Sequence, residues 1–239
     1  MNIAIIGYGN MGKAIEAIAI ERSHHIIFKT TGKEPIDELT EKLQKADVAI
    51  EFTGATSAFD NIAKCFSLNI PVVSGSTGWL EKYDEILSLC QEQNGSFIYS
   101  SNFSMGVNIS FALNELLAKL MNGQSNYTTH IQEIHHSHKK DAPSGTAISL
   151  ANQILGNNPQ LNNWQFSTEP VQGVINMESI RTGEVPGTHT VSYRSNIDNI
   201  ELKHTAHNRK GFALGAVLAA EFLQGKQGVY TMKDVLNIS

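Results

Sequence analysis

Up to about residue 100, short unbroken apolar runs alternate with stretches whose apolar residues recur every three or four positions. NIAII (2–6) reads as a strand buried on both faces, and Met11, Ile15, Ile18 and Ala19 follow at helical spacing. HIIFKT (25–30), VAIEF (48–52), IPVVS (70–74) and SFIYS (96–100) predict further strands. Between them, Phe59, Ile62, Ala63 and Phe66 mark one helical face, and another helix is expected around residues 79–92. Strands that alternate with helices need right-handed crossovers, which predicts a mostly parallel sheet covered on both faces.

The pattern changes after about residue 105. Ile109, Leu113, Leu116, Leu117 and Leu120 predict a long amphipathic helix that Asn122-Gly123 ends. THIQEIHHS (129–137) predicts a strand, and the asparagine-rich stretch 156–173 a surface loop. THTVSYRS (188–195) and IELKHTAH (200–207) predict an antiparallel hairpin, and GFALGAVLAAEFL (211–223) a last apolar helix. The fold class expected is α/β, with a Rossmann-like parallel sheet over residues 1–104, completed by the C-terminal helix of 209–239. Residues 105–208 form a second, α+β domain.

Composition excludes several function classes. With 239 residues and 41% hydrophobic content, the chain can bury a large core and is not disordered as a whole. A net charge of −5 offers no general basic surface to nucleic acid or an anionic membrane. Two cysteines, Cys65 and Cys90, cannot make a disulfide scaffold or a zinc knuckle. No apolar run approaches the ~20 residues that span a bilayer. The first residues read as a strand entering a glycine turn, so a soluble, cytoplasmic protein is expected.

That turn, Gly7-Tyr8-Gly9-Asn10-Met11-Gly12, fits G-x-G-x-x-G between a strand and a helix. Its first glycine permits the tight bend, its second the approach of a pyrophosphate, and its third close helix–strand packing. A dinucleotide is the expected ligand. An acidic ribose reader should end the second strand, yet the chain reads Phe28-Lys29-Thr30-Thr31-Gly32-Lys33 before Glu34. This ending suits a 2′-phosphate at least as well as a 2′-hydroxyl, so NADPH is favoured and NADH stays open. Lys29 and Lys33 are equally readable as ordinary solvated lysines.

The segment EIHHSHKKDAPSGTA (133–147) concentrates chemistry. A metal site is one reading, although His135 and His136 are adjacent and point to opposite faces of a strand. A solvated basic loop is another. In the third, Ser144-Gly145-Thr146 open a helix bearing Ala147, Leu150, Ala151, Ile154 and Leu155. Its first amides suit a carboxylate, with Lys139 or Lys140 as a point charge and a histidine as proton donor.

In this order, E-x-H-H-x-x-K-x-D-x-P-S-G-T-A resembles the signature of the dihydrodipicolinate (4-hydroxy-tetrahydrodipicolinate) reductase family, and the resemblance covers nearly the whole chain. Gly75-Ser-Thr77-Gly78 is similar to the family's G-T-T-G loop. Ser101-Asn102-Phe103-Ser104-Met105-Gly106-Val107 is similar to its N-F-S-x-G-V segment, and Arg181 through His189 to its R-x-G…G-x-H strands. The resemblance implies NAD(P)H-dependent reduction of a cyclic unsaturated dicarboxylate to tetrahydrodipicolinate, in lysine and diaminopimelate biosynthesis. It makes His135 the general acid and Lys139 the holder of a carboxylate, with no metal. His136, Ser144, Gly145 and Thr146 would bind substrate, although His136 also reads as a structural histidine. Asp141 would position the lysine, while His138 and Lys140 carry no role. Gly7, Tyr8, Gly9, Asn10, Met11 and Gly12 would hold the pyrophosphate, and Phe52 and Thr53 would line its path. Gly75, Thr77, Gly78, Ser101, Asn102 and Phe103 would lie by the nicotinamide, and Arg209 by the cofactor or a hinge. A homotetramer built through the second domain is also implied, with hinges near 104–108 and 207–211 that let the domains close. The strands of that domain alternate well enough to have a second apolar face.

The family often has G-x-x-G-x-M-G in the first turn, one residue longer than here, which bears on cofactor preference and not on the reaction. Two other functions stay open: a dehydrogenase of another small carboxylate, and a non-catalytic NAD(P)H sensor.

Overall fold

The computed structural model describes residues 1–31, 40–169, 171–208 and 210–238. Its chain divides into two compact units, Met1–Met105 with Lys210–Ser239, and Gly106–Arg209. The first holds β1 (Asn2–Ile6), α1 (Asn10–Glu21), β2 (His25–Thr30), α2 (Thr40–Leu43), β3 (Val48–Glu51), α3 (Ala58–Ser67) and β4 (Val72–Ser74). A 3-10 turn (Leu80–Lys82), α4 (Tyr83–Glu92) and β5 (Ser96–Tyr99) follow.

Every neighbouring pair in this sheet is parallel. The strand order is β11-β5-β4-β3-β1-β2, where β11 (Gly228–Tyr230) comes from the end of the chain. Side chains alternate between two cores. Ile3, Ile5, Ile50 and Ile98 face α1 and α7 (Lys210–Leu223), whereas Ala4, Ile6, Val72 and Phe97 face α3 and α4. The unbroken apolar runs are thus strands buried from both sides. Where α7 crosses Phe103, a Cβ on Gly215 would collide with the Phe103 carbonyl oxygen, so only glycine admits this approach. The sixth strand has no counterpart in the sequence reading, because a run of three residues shows no period; β11 is fixed by pairing with β5.

The second unit takes in nearly all of α5 (Met105–Met121), then β6 (Thr128–His135), α6 (Gly145–Asn157), β7 (Asn163–Phe166), β8 (Val174–Arg181), β9 (Gly187–Arg194) and β10 (Asn199–Ala206). Its five strands lie in the order β10-β9-β6-β8-β7. The β9–β10 hairpin is antiparallel, as expected, and so is β6 with β9, while β6–β8 and β7–β8 are parallel. One face, with Ile131, Ile175, Met177, Val191 and Tyr193, packs on Ala118 of α5 and on Ala147, Leu150 and Ile154 of α6. The buried Asn114 links the two helices, donating to Leu150 O at 3.1 Å and Gln153 Oε1 at 2.9 Å.

Three expectations need correction here. The stretch 156–173 is not all loop: Trp164 and Phe166 belong to β7, which pairs with β8 at the sheet edge. On α5 the helix is as predicted, but Ile109, Leu113, Leu116 and Leu120 stand exposed, while Val107, Asn114, Ala118 and Met121 are buried. Asn114 and Ala118 face the core and α6, and the leucine stripe faces outward. Nor is the sheet's other face apolar, since Gln132, Glu178, Thr190 and Lys203 stand on it, with Gln132 donating to Glu178 at 2.7 Å. Among the described residues no helix is long and apolar enough to cross a membrane.

Candidate active site

Period-two alternation on β6 places Ile131, Glu133 and His135 on the helix-covered face. The sheet register then supplies their neighbours. His189 of β9 lies opposite Glu133, Ser179 of β8 lies beside it on the other side, and Arg181 pairs with His135. Across the hairpin, His204 of β10 pairs with His189.

Glu133 is fully buried, and burial alone would raise its pKa. Hydrogen bonds from Ser144, Arg181 and Ser179 outweigh burial and bring it down to about 2, so the carboxylate is ionised. Arg181 Nη2 and Ser179 Oγ each donate to Oε1 at 2.8 Å, and the Ser144 amide donates to Oε1 at 3.1 Å and Oε2 at 3.0 Å. Oε2 is left facing two imidazoles, His135 Nδ1 at 3.5 Å and His189 Nε2 at 3.7 Å.

Burial holds His135 below the usual histidine range; Lys139 and Arg181 reinforce this, while Glu133 and Asp141 oppose it. Its Nδ1 is buried without a hydrogen-bond partner, so the approach to Glu133 is an ion-pair distance without hydrogen-bond geometry. Its Nε2 faces Gly187, where a Cβ would stand only 3.1 Å away. Glycine there keeps the space beside Nε2 clear. His189 stacks edge-on against His135, with ring centroids 5.0 Å apart, and burial foremost pushes its pKa down to about 4. Its Nε2 lies 3.0 Å from Ser144 Oγ.

Between β6 and α6, Lys139 Nζ donates to both oxygens of Asp141, at 2.8 and 2.6 Å, and Arg181 Nη2 donates to Asp141 O at 2.6 Å. The loop that carries the lysine is therefore tied to the strand that anchors Glu133. Ser144 caps α6, its hydroxyl accepting from Ala147 N at 3.2 Å, as the helix-start reading requires. Both its polar groups are engaged in this framework and the side chain is buried. Gly145 is exposed, and a Cβ added to it would meet nothing within 4 Å. The first backbone bond of the helix runs from Ile148 N to Ser144 O at 3.0 Å. His136 is half-buried, its ring 6.3 Å from that of the exposed His138, and Lys140 is exposed.

In the first unit, Gly7 has φ +102°, and a Cβ on it would collide with Phe52 O. A Cβ on Gly12 would lie 2.5 Å from Gly7 O, whereas one on Gly9 would meet nothing within 4 Å. The first and third glycines thus close the turn and the second faces open space, a cradle that fits a pyrophosphate. Behind it, the buried Glu51 binds the two neighbouring loops together. Ser74 Oγ donates to it at 2.6 Å, Ser76 Oγ at 2.8 Å and Thr53 N at 2.9 Å, and the Thr53 hydroxyl bonds it too. Thr77 and Gly78 are exposed beyond this anchor, as is Ser101; Asn102 is half-buried. Phe103 is a core side chain, 2% exposed and 5.7 Å ring to ring from Phe52, so only its main chain is available to a ligand. Lys29 is exposed. Its ammonium pairs with Glu16 at 2.8 Å and lies 4.5 Å over the Tyr8 ring, while the Tyr8 hydroxyl bonds Glu16. Lys33, Glu34 and Arg209 lie outside the described residues.

The residue-by-residue reading gave no role to Glu133, Gly187, His189, Glu16 or Glu51, although the first three stand in the motifs that carry the family resemblance. The first three meet only through strand register, for which the local sequence carries no signal beyond the E-x-H spacing. Donor atoms of Glu133, His135 and His189 lie within 4.8 Å of one another. Because that carboxylate already takes bonds from Arg181, Ser179 and the Ser144 amide, the trio is an acid–imidazole cluster rather than a built cation site.

A parallel sheet with a glycine cradle, joined to a second unit bearing imidazoles, a lysine and a helix start, defines a two-unit NAD(P)-dependent oxidoreductase. The family models for the N-terminus and C-terminus of dihydrodipicolinate reductase match residues 1–103 and 106–236. The chain belongs to the dihydrodipicolinate reductase family. It is 51% identical over 237 residues to the 4-hydroxy-tetrahydrodipicolinate reductase of Christiangramia forsetii, covering 99% of this chain and 98% of that one. The reductase of the same name from Akkermansia muciniphila is 36% identical, over 97% of this chain and 95% of its own. In fold, the chain is similar to a dipicolinate-bound dihydrodipicolinate reductase from Paenisporosarcina sp. TG-14. That match has a TM-score of 0.81 at 20% identity and covers 100% of this chain and 99% of the other.

Proposed function

We propose that this enzyme reduces 4-hydroxy-tetrahydrodipicolinate to tetrahydrodipicolinate with NAD(P)H, in the route to diaminopimelate and lysine. The observation that carries the reading is the convergence, within one unit, of His135, whose Nε2 side meets no Cβ at Gly187, with Lys139 and the start of α6 at the exposed Gly145.

Each unit has its own task. Residues 1–104 with 209–239 bind the cofactor: Gly7 to Gly12 hold the pyrophosphate, with Phe52, Thr53 and the loops at Gly75–Gly78 and Ser101–Phe103 beside it. When bound, the nicotinamide supplies a hydride. Residues 105–208 bind the substrate. The Gly145 and Thr146 amides take one carboxylate, since the helix start favours an anion. Lys139 takes the other and stabilises charge built up in the transition state, and His136 adds a contact. Loss of the 4-hydroxyl as water leaves a conjugated carbon–nitrogen system, and His135 donates from Nε2 the proton that quenches the electron density which hydride addition places on it. Ser144 acts through the framework, as cap and as donor to Glu133.

We also place the enzyme in the cytoplasm as a homotetramer assembled through the second unit, where four apolar side chains of α5 stand exposed in one stripe. Light scattering on the purified protein reads the mass directly.

The test is oxidation of NADPH and of NADH with enzymatically generated substrate, for wild type and His135→Gln. The reading requires wild-type turnover and a fall in kcat of about 100-fold or more in the variant, with cofactor affinity unchanged. Tight cofactor binding without turnover would replace it with a sensor or a different carboxylate substrate.

A further inference from the structure

We propose that Glu133 is a positioning residue for proton transfer: its buried carboxylate keeps the proton of His135 on Nδ1 and steadies the imidazolium, leaving Nε2 as the reacting nitrogen. This rests on the reading of His135 as the proton donor.

Glu133 and His135 are two apart on β6 and share its covered face. The carboxylate cannot turn away. Arg181 and Ser179 hold Oε1 at 2.8 Å from strand β8, and the Ser144 amide spans both oxygens from the start of α6. Held in this way, Oε2 is directed at His135 Nδ1, 3.5 Å off, and that nitrogen has no other partner. A bare Nδ1 lone pair would face carboxylate lone pairs, which repel it; a proton on Nδ1 removes the clash and gains attraction. The other nitrogen lies on the side that Gly187 keeps clear. A small turn of the ring as substrate binds would close the 3.5 Å gap into a hydrogen bond.

All charged and titratable groups facing His135 among the described residues enter this balance. Glu133 comes from β6, His189 from β9 with His204 behind it, Arg181 from β8, and Lys139 and Asp141 from the loop before α6. Against burial and two cations, Glu133 is the nearest group that favours the charged ring. Without it, His135 would surrender its proton at a lower pH.

The experiment joins a pH–rate profile to imidazole nitrogen NMR on the full-length enzyme. In Glu133→Gln the basic limb of kcat/KM, where His135 loses its proton, should move to lower pH by about one unit, and kcat above that limb should fall about tenfold. KM for the reduced cofactor should hold. Glu133→Asp, which keeps the charge, should move the limb back towards wild type. In the wild type, NMR should find neutral His135 protonated on Nδ1. A purely structural role for Glu133 would lower activity at every pH without moving the limb, and that result overturns the proposal. Neutral His135 protonated on Nε2 overturns it as well, and this reading needs no variant to fold. Full turnover by His135→Gln would instead remove the acid role on which the proposal rests, while the NMR still reports on the Glu133–His135 pair.

Discussion

Gly187 shows how much of this site depends on an atom that is missing. The residue lies at the start of β9, and a Cβ there would press on His135 at 3.1 Å from Nε2 and 3.4 Å from Cδ2. The ring must give by a few tenths of an ångström, and for the acid role proposed for His135 small displacements are costly. Gly187→Ala should therefore lower kcat by between about 10- and 100-fold. Cofactor affinity, measured by fluorescence titration, should be unchanged, because the cradle belongs to the other unit. A variant with normal kcat would show that Nε2 does not need that space. The cap at Ser144 was legible as a residue type in a local pattern, and the same pattern offered His135 and Lys139 as candidates. Glu133 and Gly187 stand in the motifs that carry the family resemblance, but what they touch depends on which residue of β8 or β9 lies alongside, and register is a property of the sheet.

Elements differ in how openly the sequence announces them. β1 appears with the expected bounds because a strand buried on both faces is a continuous apolar word, and β2, at the sheet edge, because Ile26, Phe28 and Thr30 alternate inward against exposed His25, Ile27 and Lys29. β7 and β11 were invisible, being short edge strands that tertiary pairing holds in place. α5 gave the right element with the wrong side inward, since periodicity finds a stripe without saying what covers it. α7 tests the packing argument. Its Ala213, Ala216, Val217, Ala220 and Leu223 are buried, and Gly215 passes over the Phe103 carbonyl. A methyl group there has nowhere to go, so Gly215→Ala should cost about 3 kcal/mol and lower the melting temperature by roughly 10 °C. Scanning calorimetry checks this; an unchanged transition would mean that α7 can slide along the sheet.

At the scale of the molecule, the buried His189 and Glu133 make folding depend on pH in one direction below neutrality. His189 has an ordinary pKa of 6.5 when unfolded and about 4 when buried. Between these values the unfolded chain binds a proton that the folded one refuses, so stability falls as pH falls, by about 3 kcal/mol over the window. Glu133 continues the trend. Lowered from 4.5 to about 2, it contributes stability that is complete above pH 4.5 and lost as pH drops towards 2. Thermal unfolding followed from about pH 7 to 4 should show a steadily falling midpoint, and His189→Asn should flatten the upper part of the curve. A wild-type midpoint constant between about pH 6.5 and 4.5 would mean that His189 is protonated in the fold.

The first unit is also split in the chain, since α7 and β11 return to it after the whole second unit has been made. On the ribosome this sets an order. When β5 has emerged, Ile3, Ile5, Ile50 and Ile98 still lack the helix that will cover them, and more than a hundred further residues must be translated first. The second unit, contiguous in the chain, can finish folding ahead of the first. A nascent chain stalled before residue 210 would carry a finished second unit and a sticky, half-dressed sheet, the form that a chaperone or a protease would meet.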